Sequence, residues 1–269
     1  MTNNDYIEII KNQAATPTEI KPVTKILNND VKNSSLFHVN QFGKTFIYKI
    51  SDHETSFRNL MLAQALLQND VHVPDSKVFI SGGEYLETYE MIPGTTLSGA
   101  IFHNSLTNDK IEQILRDTLI FDKKITEITP KITRFSQQLI LHERRKNHNT
   151  QEFGELLAKL HYTINKKQTT YGNVALHHAD LNPSNILLDD NGTVTALLDL
   201  DSLALCDEYT MLSQILFYWP NTSIDMTIKT YESVFGKKIN KRHLENLILF
   251  RKTKALVATA LRKARVRHR

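Results

Sequence analysis

Only one cysteine, Cys206, occurs in the 269 residues, so neither an internal disulfide nor a cysteine-built zinc site is open to this chain. No apolar run reaches the roughly 18 residues that a membrane span needs. The opening residues, MTNNDYIEIIKNQ, lack the basic start, apolar centre and small-residue cleavage site of a secretory signal. A soluble, cytoplasmic protein with no membrane partner is the expectation. No internal repeat and no low-complexity linker divides the chain.

Acid is missing from one stretch only. Residues 251–269 hold eight Lys and Arg and no Asp or Glu, so the net charge of +4 hides a remainder of 25 basic against 29 acidic residues. Leu249, Phe250, Thr253, Leu256, Val257, Ala260, Leu261 and Ala264 recur there at helical spacing, which predicts a last docked helix with a basic solvent face. Nucleic acid is accordingly not the expected partner, despite the basic tail.

Two regimes of hydrophobic period are present. Up to about residue 92, short alternating runs surround one helix. Leu36–Asn40 and Thr45–Ile50 predict strands about a turn at Gly43, Ser56–Gln68 a helix, and Ser76–Ser81 and Tyr85–Met91 two more strands about Gly82 and Gly83. From residue 93 the pattern is mostly helical, over Asn108–Lys124, Lys131–Arg145, Gln151–Asn165, Asp207–Phe217, Ile224–Phe235 and from Lys241 onward. The expected class is α+β, with a small β-rich lobe over residues 1–92 and a larger helical lobe over 93–269.

Leu176–Leu200 breaks the helical regime. His177, His178, Asp180, Asn182, Pro183 and Asn185 precede two apolar runs joined by Asp189-Asp190-Asn191-Gly192, a hairpin signal, and Asp199 stands at its far end. Phosphoryl transfer needs a carboxylate to orient the attacking hydroxyl and hard oxygen ligands for Mg²⁺. Asp180 can do the first, and Asn185 with Asp199 the second. Each residue alone also fits ordinary turn chemistry; their order and spacing together match the handful of residues that kinases use.

HADLNPSNILL, followed by LLDLDSLALCDEY, resembles the catalytic and metal-binding segments of the aminoglycoside phosphotransferase and choline kinase superfamily. Leu156–His161, Val73-Pro74 and Glu90-Met91-Ile92-Pro93-Gly94-Thr95-Thr96-Leu97 are similar to further features of that family. The resemblance implies a bilobal protein-kinase-like fold and transfer of a γ-phosphoryl group from Mg-ATP, or GTP, to a hydroxyl of a small molecule such as an aminoglycoside, amino alcohol or sugar. It assigns the catalytic base to Asp180, Mg²⁺ to Asn185 and Asp199, the α and β phosphates to Lys49, and the adenine to backbone groups of Glu90 and Ile92. Ser34 and Ser35 stand in the loop expected over the phosphates.

The pattern departs from the family in two places. Residues 28–35 contain no glycine, which normally lets backbone amides approach phosphate, and Ser56–Gln68 contains no acid to pair with the strand lysine. These gaps keep open a catalytically silent nucleotide-binding regulator. A protein kinase is disfavoured, because Ala179 replaces the Arg of HRD, Leu200-Asp201 replaces the FG of DFG, and no APE follows. His177 and His178, adjacent on a short strand, are expected to support the loop rather than bind metal.

Overall fold

The computed structural model describes residues 3–13, 19–22, 26–27, 30–31, 36–51, 53–81, 83–103, 106–129 and 175–267. Ser34, Ser35 and the helices expected over Lys131–Arg145 and Gln151–Asn165 lie outside these residues. The chain divides into two compact units, residues 1–93 and 94–269.

The first unit is a five-stranded antiparallel sheet with a helix on each face. In chain order it comprises α1 (Asn3–Gln13), β1 (Glu19–Pro22), the two-residue strands β2 (Ile26–Leu27) and β3 (Asp30–Val31), β4 (Leu36–Gln41), β5 (Lys44–Ser51), α2 (His53–Leu67), β6 (Lys77–Ser81) and β7 (Glu84–Glu90). The sheet order is β1-β4-β5-β7-β6. Phe42 and Gly43 both take positive φ, 52° and 73°, the left-handed pair of a two-residue hairpin turn whose twist suits the strands it joins.

Alternation along these strands gives the sheet two unlike faces. One carries Phe37, Val39, Tyr48, Ile50 and Leu86, all buried, with Ile10 of α1 inserted among them and Tyr6, Ile7 and Ile9 packed around. The other carries Lys49 and Glu87, which are cross-strand partners on β5 and β7, and faces α2, where Asn59 Nδ2 donates to Glu87 Oε2 at 3.0 Å. The α1 helix was not expected from the sequence. The α2 helix starts at His53 rather than Ser56, and so takes in Glu54. The sequence expectation that this helix lacks an acid is corrected to that extent.

The second unit opens with β8 (Thr95–Thr96), α3 (Leu97–Phe102) and α4 (Asn108–Glu127). After the segment outside the description come β9 (Ala175–His178), β10 (Ile186–Leu188), β11 (Val194–Leu197), β12 (Leu203–Cys206), α5 (Glu208–Tyr218), α6 (Ile224–Phe235) and α7 (Lys241–Arg267). Side-chain caps fix several starts. Thr107 accepts from Lys110 N before α4, Asp207 from Thr210 N before α5, and Ser223 from Met226 N before α6, each satisfying an amide the helix leaves unpaired. Gly236, at φ 69°, ends α6 in the left-handed conformation.

The last helix docks on a different face from the one expected. Leu244, Leu247 and Ile248 are buried, whereas Leu249 and Leu256 are 64% and 72% exposed. Arg251 explains the offset: its Nε donates to Ser213 Oγ at 2.7 Å and its guanidinium donates to the Thr210 carbonyl at 3.2 Å, so a basic residue lies on the docked side against α5. Burial holds the Arg251 pKa below its usual value.

Gly94 fixes how β8 meets β10, in the register Thr95↔Leu188 and Thr96↔Leu187. It sits at φ 142°, and a Cβ there would lie 2.5 Å from the Leu188 carbonyl oxygen and 3.1 Å from Leu187 Cγ. Gly94→Ala should therefore cost about 1–3 kcal/mol, read as a lower denaturant midpoint without a change in m.

Candidate active site

The loop from Ala179 to Asn185 is held at both ends and from beneath. His178 ends β9, and its Nε2–H donates to the Leu198 carbonyl at 2.7 Å, which leaves Nδ1 to accept from the Asp180 amide at 3.4 Å. One imidazole thus ties the start of the loop to the residue before Asp199. The Ala179 amide donates to the Ser202 carbonyl at 2.9 Å, and Gln214 of α5 donates to the Ala179 carbonyl. Trp219, buried after α5, donates its indole N–H to the Leu181 carbonyl at 2.8 Å. The aromatic run Phe217-Tyr218-Trp219 thus uses its tryptophan as loop support, an apolar body with one polar handle.

Within the loop, Asn182 begins a short 3₁₀ turn over Pro183–Asn185 and accepts from the Ser184 amide at 2.9 Å. Its Nδ2 donates to Asp180 Oδ2 at 3.0 Å. Asn185 Nδ2 donates to the Asp180 carbonyl at 2.9 Å and lies 3.4 Å from Asp180 Oδ2. Asp180 and Asn185, expected to work together, are therefore in direct contact, and the Asp180 carboxylate is aimed by two amides.

Asp199 joins this group through the backbone. The Leu198 amide donates to the Asn185 carbonyl at 2.9 Å, so the residue before Asp199 is pinned to Asn185. Asp199 itself is exposed and left-handed, at φ 63° and ψ 67°, and Ser202 Oγ donates to its Oδ2 at 3.1 Å. A non-glycine residue in that region stores roughly 1–3 kcal/mol of strain, and such strain gathers at functional sites. Lys49 belongs to the first unit, half-buried on the sheet face that carries α2. Glu90 ends β7 and pairs with Lys44 at 2.8 Å, and Ile92 follows it.

Beneath the loop lies a pair that the motif does not announce. Asp122 of α4, fully buried, accepts from His177 Nδ1 at 2.6 Å and from the His178 amide at 2.9 Å. Burial opposes a charge on His177, yet the Asp122 carboxylate, by its field and its hydrogen bond, outweighs burial, with Glu208 and Asp207 adding to it. The His177 pKa is raised above the ordinary histidine value. The two histidines do support the loop, from opposite sides of their strand.

The donor set around Asn185 and Asp199 suits a hard cation. Asn185 Nδ2 is engaged by Asp180, so its amide oxygen is the atom of this side chain that a hard cation would take. Among the described residues no cluster of three or more His, Cys, Asp and Glu could hold a metal ion. No helix among the described residues is long and apolar enough to cross a membrane.

The fold is shared with the crystal structure of aminoglycoside-3'-phosphotransferase of type VIII, at 15% identity and a TM-score of 0.62, covering 92% of this chain and 97% of that one. Spectinomycin phosphotransferase in complex with ADP and spectinomycin is similar at 13% identity and a TM-score of 0.57, covering 93% and 84%. Choline kinase LicA from Streptococcus pneumoniae is similar at 16% identity and a TM-score of 0.55, covering 97% and 91%. No curated protein sequence matches. These likenesses speak for the fold, which is the α+β, protein-kinase-like one. Residues 26–235, most of the chain, match the family model for this group, and the protein belongs to the phosphotransferase enzyme family.

Proposed function

We propose that the protein is a small-molecule kinase that moves the γ-phosphoryl group of ATP or GTP onto a hydroxyl. The observation that carries this reading is the Asp180 carboxylate, directed by the Asn182 and Asn185 amides within a loop hydrogen-bonded to the Asp199 segment. Asp180 accepts the proton of the attacking hydroxyl and orients its oxygen for in-line attack. Lys49 binds the α and β phosphates, and the backbone at Glu90 and Ile92 meets the base. Asn185 and Asp199 hold Mg²⁺, which when bound supplies positive charge to the phosphates. The nucleotide is assigned to residues 1–92 and the acceptor to residues 93–269.

The acceptor is a hydroxylated small molecule, of the aminoglycoside, amino alcohol or sugar class. The family comparison supports this, since spectinomycin accompanies ADP in one structure of the same fold. The mildly acidic body of the chain favours a cationic acceptor by its long-range field.

The nucleotide half of the proposal is tested by thermal shift with Mg-ATP and Mg-GTP on the native protein and Asp199→Ala. Nucleotide at about 100 times its dissociation constant should add about 2.7 kcal/mol and raise the melting temperature by several degrees. The shift should require Mg²⁺ and be lost in the variant. Absence of any shift with either nucleotide would count against the kinase and against a nucleotide-binding regulator alike.

A further inference from the structure

The hydrogen bonds beneath the catalytic loop converge on one carboxylate. Asp122 of α4, fully buried, accepts from the His177 ring at 2.6 Å and from the His178 amide at 2.9 Å. The second bond fixes the backbone at the end of β9, from which the His178 ring reaches the Leu198 carbonyl at 2.7 Å and the Asp180 amide at 3.4 Å. Two hydrogen bonds in series, joined by His178, thus lead from Asp122 to the backbone of the proposed base. A branch from the same imidazole leads to the residue before Asp199.

The surroundings of His177 are acidic. Asp122 faces it from α4, and Glu208 and Asp207 from the start of α5. Tyr231 of α6 stays neutral, because burial and then the Glu208 and Asp122 carboxylates push its pKa up. Ala204 of β12, opposite His177 in the strand pair, brings no charge. The His177 imidazolium is therefore the charge that offsets Asp122. Burial works against it, but the Asp122 field and hydrogen bond, with Glu208 and Asp207 adding, keep the proton on. When that proton leaves, Asp122 is a buried carboxylate held by neutral donors, with two more acids around the same imidazole. A buried charge without its counter-charge is costly, and Asp122 relieves it by turning toward water and away from the His178 amide.

We infer that Asp122 and His177 form a pH-sensitive latch on the Asp180 loop, closed while His177 carries its proton and loosened when the proton leaves. Both are positioning residues that act on Asp180 through His178. The latch is fully closed below the ordinary histidine pKa of about 6.5 and opens as pH rises through the higher folded value. Its effect on turnover rests on the kinase reading; the movement of the loop does not.

Trp219 is the one tryptophan of the chain, and its indole N–H bonds the Leu181 carbonyl inside the loop, so its emission reports the loop directly. Emission and far-ultraviolet circular dichroism of the full-length protein are recorded from about pH 5.5 to about pH 9, across the histidine range. ADP release from Mg-ATP is followed over the same range with aminoglycosides, amino alcohols and sugars as acceptors. Native emission should move to longer wavelength in one step with a midpoint above about 6.5, at constant circular dichroism. ADP release should fall through the same midpoint, by up to about 10²-fold, the cost of a small misplacement of a catalytic group. His177→Gln keeps a donor for Asp122 but has no proton to lose, so its emission should hold the high-pH value throughout. Asp122→Asn, the second variant, should also show no step. The latch is overturned if native emission is flat, if circular dichroism changes with the step, if the step survives in either variant, or if His177→Gln holds the low-pH value. ADP release that stays constant through the emission step would overturn its coupling to turnover. No ADP release with any acceptor, beside an intact step, would remove the kinase reading and leave the latch standing.

Discussion

Asp180→Asn should lower acceptor-dependent ADP release by about 10²–10⁴-fold, the range that one positioned general base contributes. The acceptor is first found by screening aminoglycosides, amino alcohols and sugars for ADP release with the native protein. The substitution is nearly isosteric, so the loop should survive it. The backbone contacts of residue 180, from its amide to His178 Nδ1 and to its carbonyl from Asn185 Nδ2, do not involve the side chain that changes. An amide at position 180 can still accept from Asn182, but it cannot take a proton from a hydroxyl. The melting temperature and the Mg-nucleotide shift should therefore stay close to native while turnover collapses. If the variant phosphorylates acceptor at the native rate, Asp180 is not the base.

The largest effect on stability is expected at Asp122, a residue with no place in the chemistry. Asp122→Ala removes the partner of two buried donors at once, the His177 ring and the His178 amide. Breaking a buried hydrogen-bonded pair in this way costs about 3–5 kcal/mol, or a fall in melting temperature of about 10 °C for a chain of this size. The same pair makes stability depend on pH. Because the folded pKa of His177 is raised, the folded state holds that proton more tightly than the unfolded chain does. The contribution is fully present below the ordinary histidine pKa of about 6.5 and is lost as pH rises through the folded value. Denaturant melts across this window should give a falling contribution in the native protein, and Asp122→Asn should flatten it. An unchanged slope in the variant would show that His177 does not carry the dependence.

Much of the local structure was legible because local rules govern it. The Phe42-Gly43 turn, the Asp189–Gly192 turn and the span Ile224–Phe235 follow from left-handed turn residues, caps and period, all written within a few neighbouring positions. The contact between Asp180 and Asn185 is of the same kind, since five residues separate them and a turn begun by Asn182 brings them together. The Phe217–Trp219 run showed its aromatic content but not its task, because the carbonyl that Trp219 meets belongs to Leu181, 38 residues earlier.

The sequence by itself determined the two regimes of period, the turns, the starts of α4, α6 and α7 and the order of Asp180, Asn185 and Asp199, because each depends on neighbours along the chain. Tertiary structure alone decided which buried groups meet. It set Asp122 of α4 under His177, turned Arg251 rather than Leu256 toward its neighbours, and laid α1 across the sheet. Periodicity tells which face of an element is apolar, but a partner across the fold is chosen by packing and by the cost of leaving a buried polar group unpaired. Those terms exist only once distant segments are in contact.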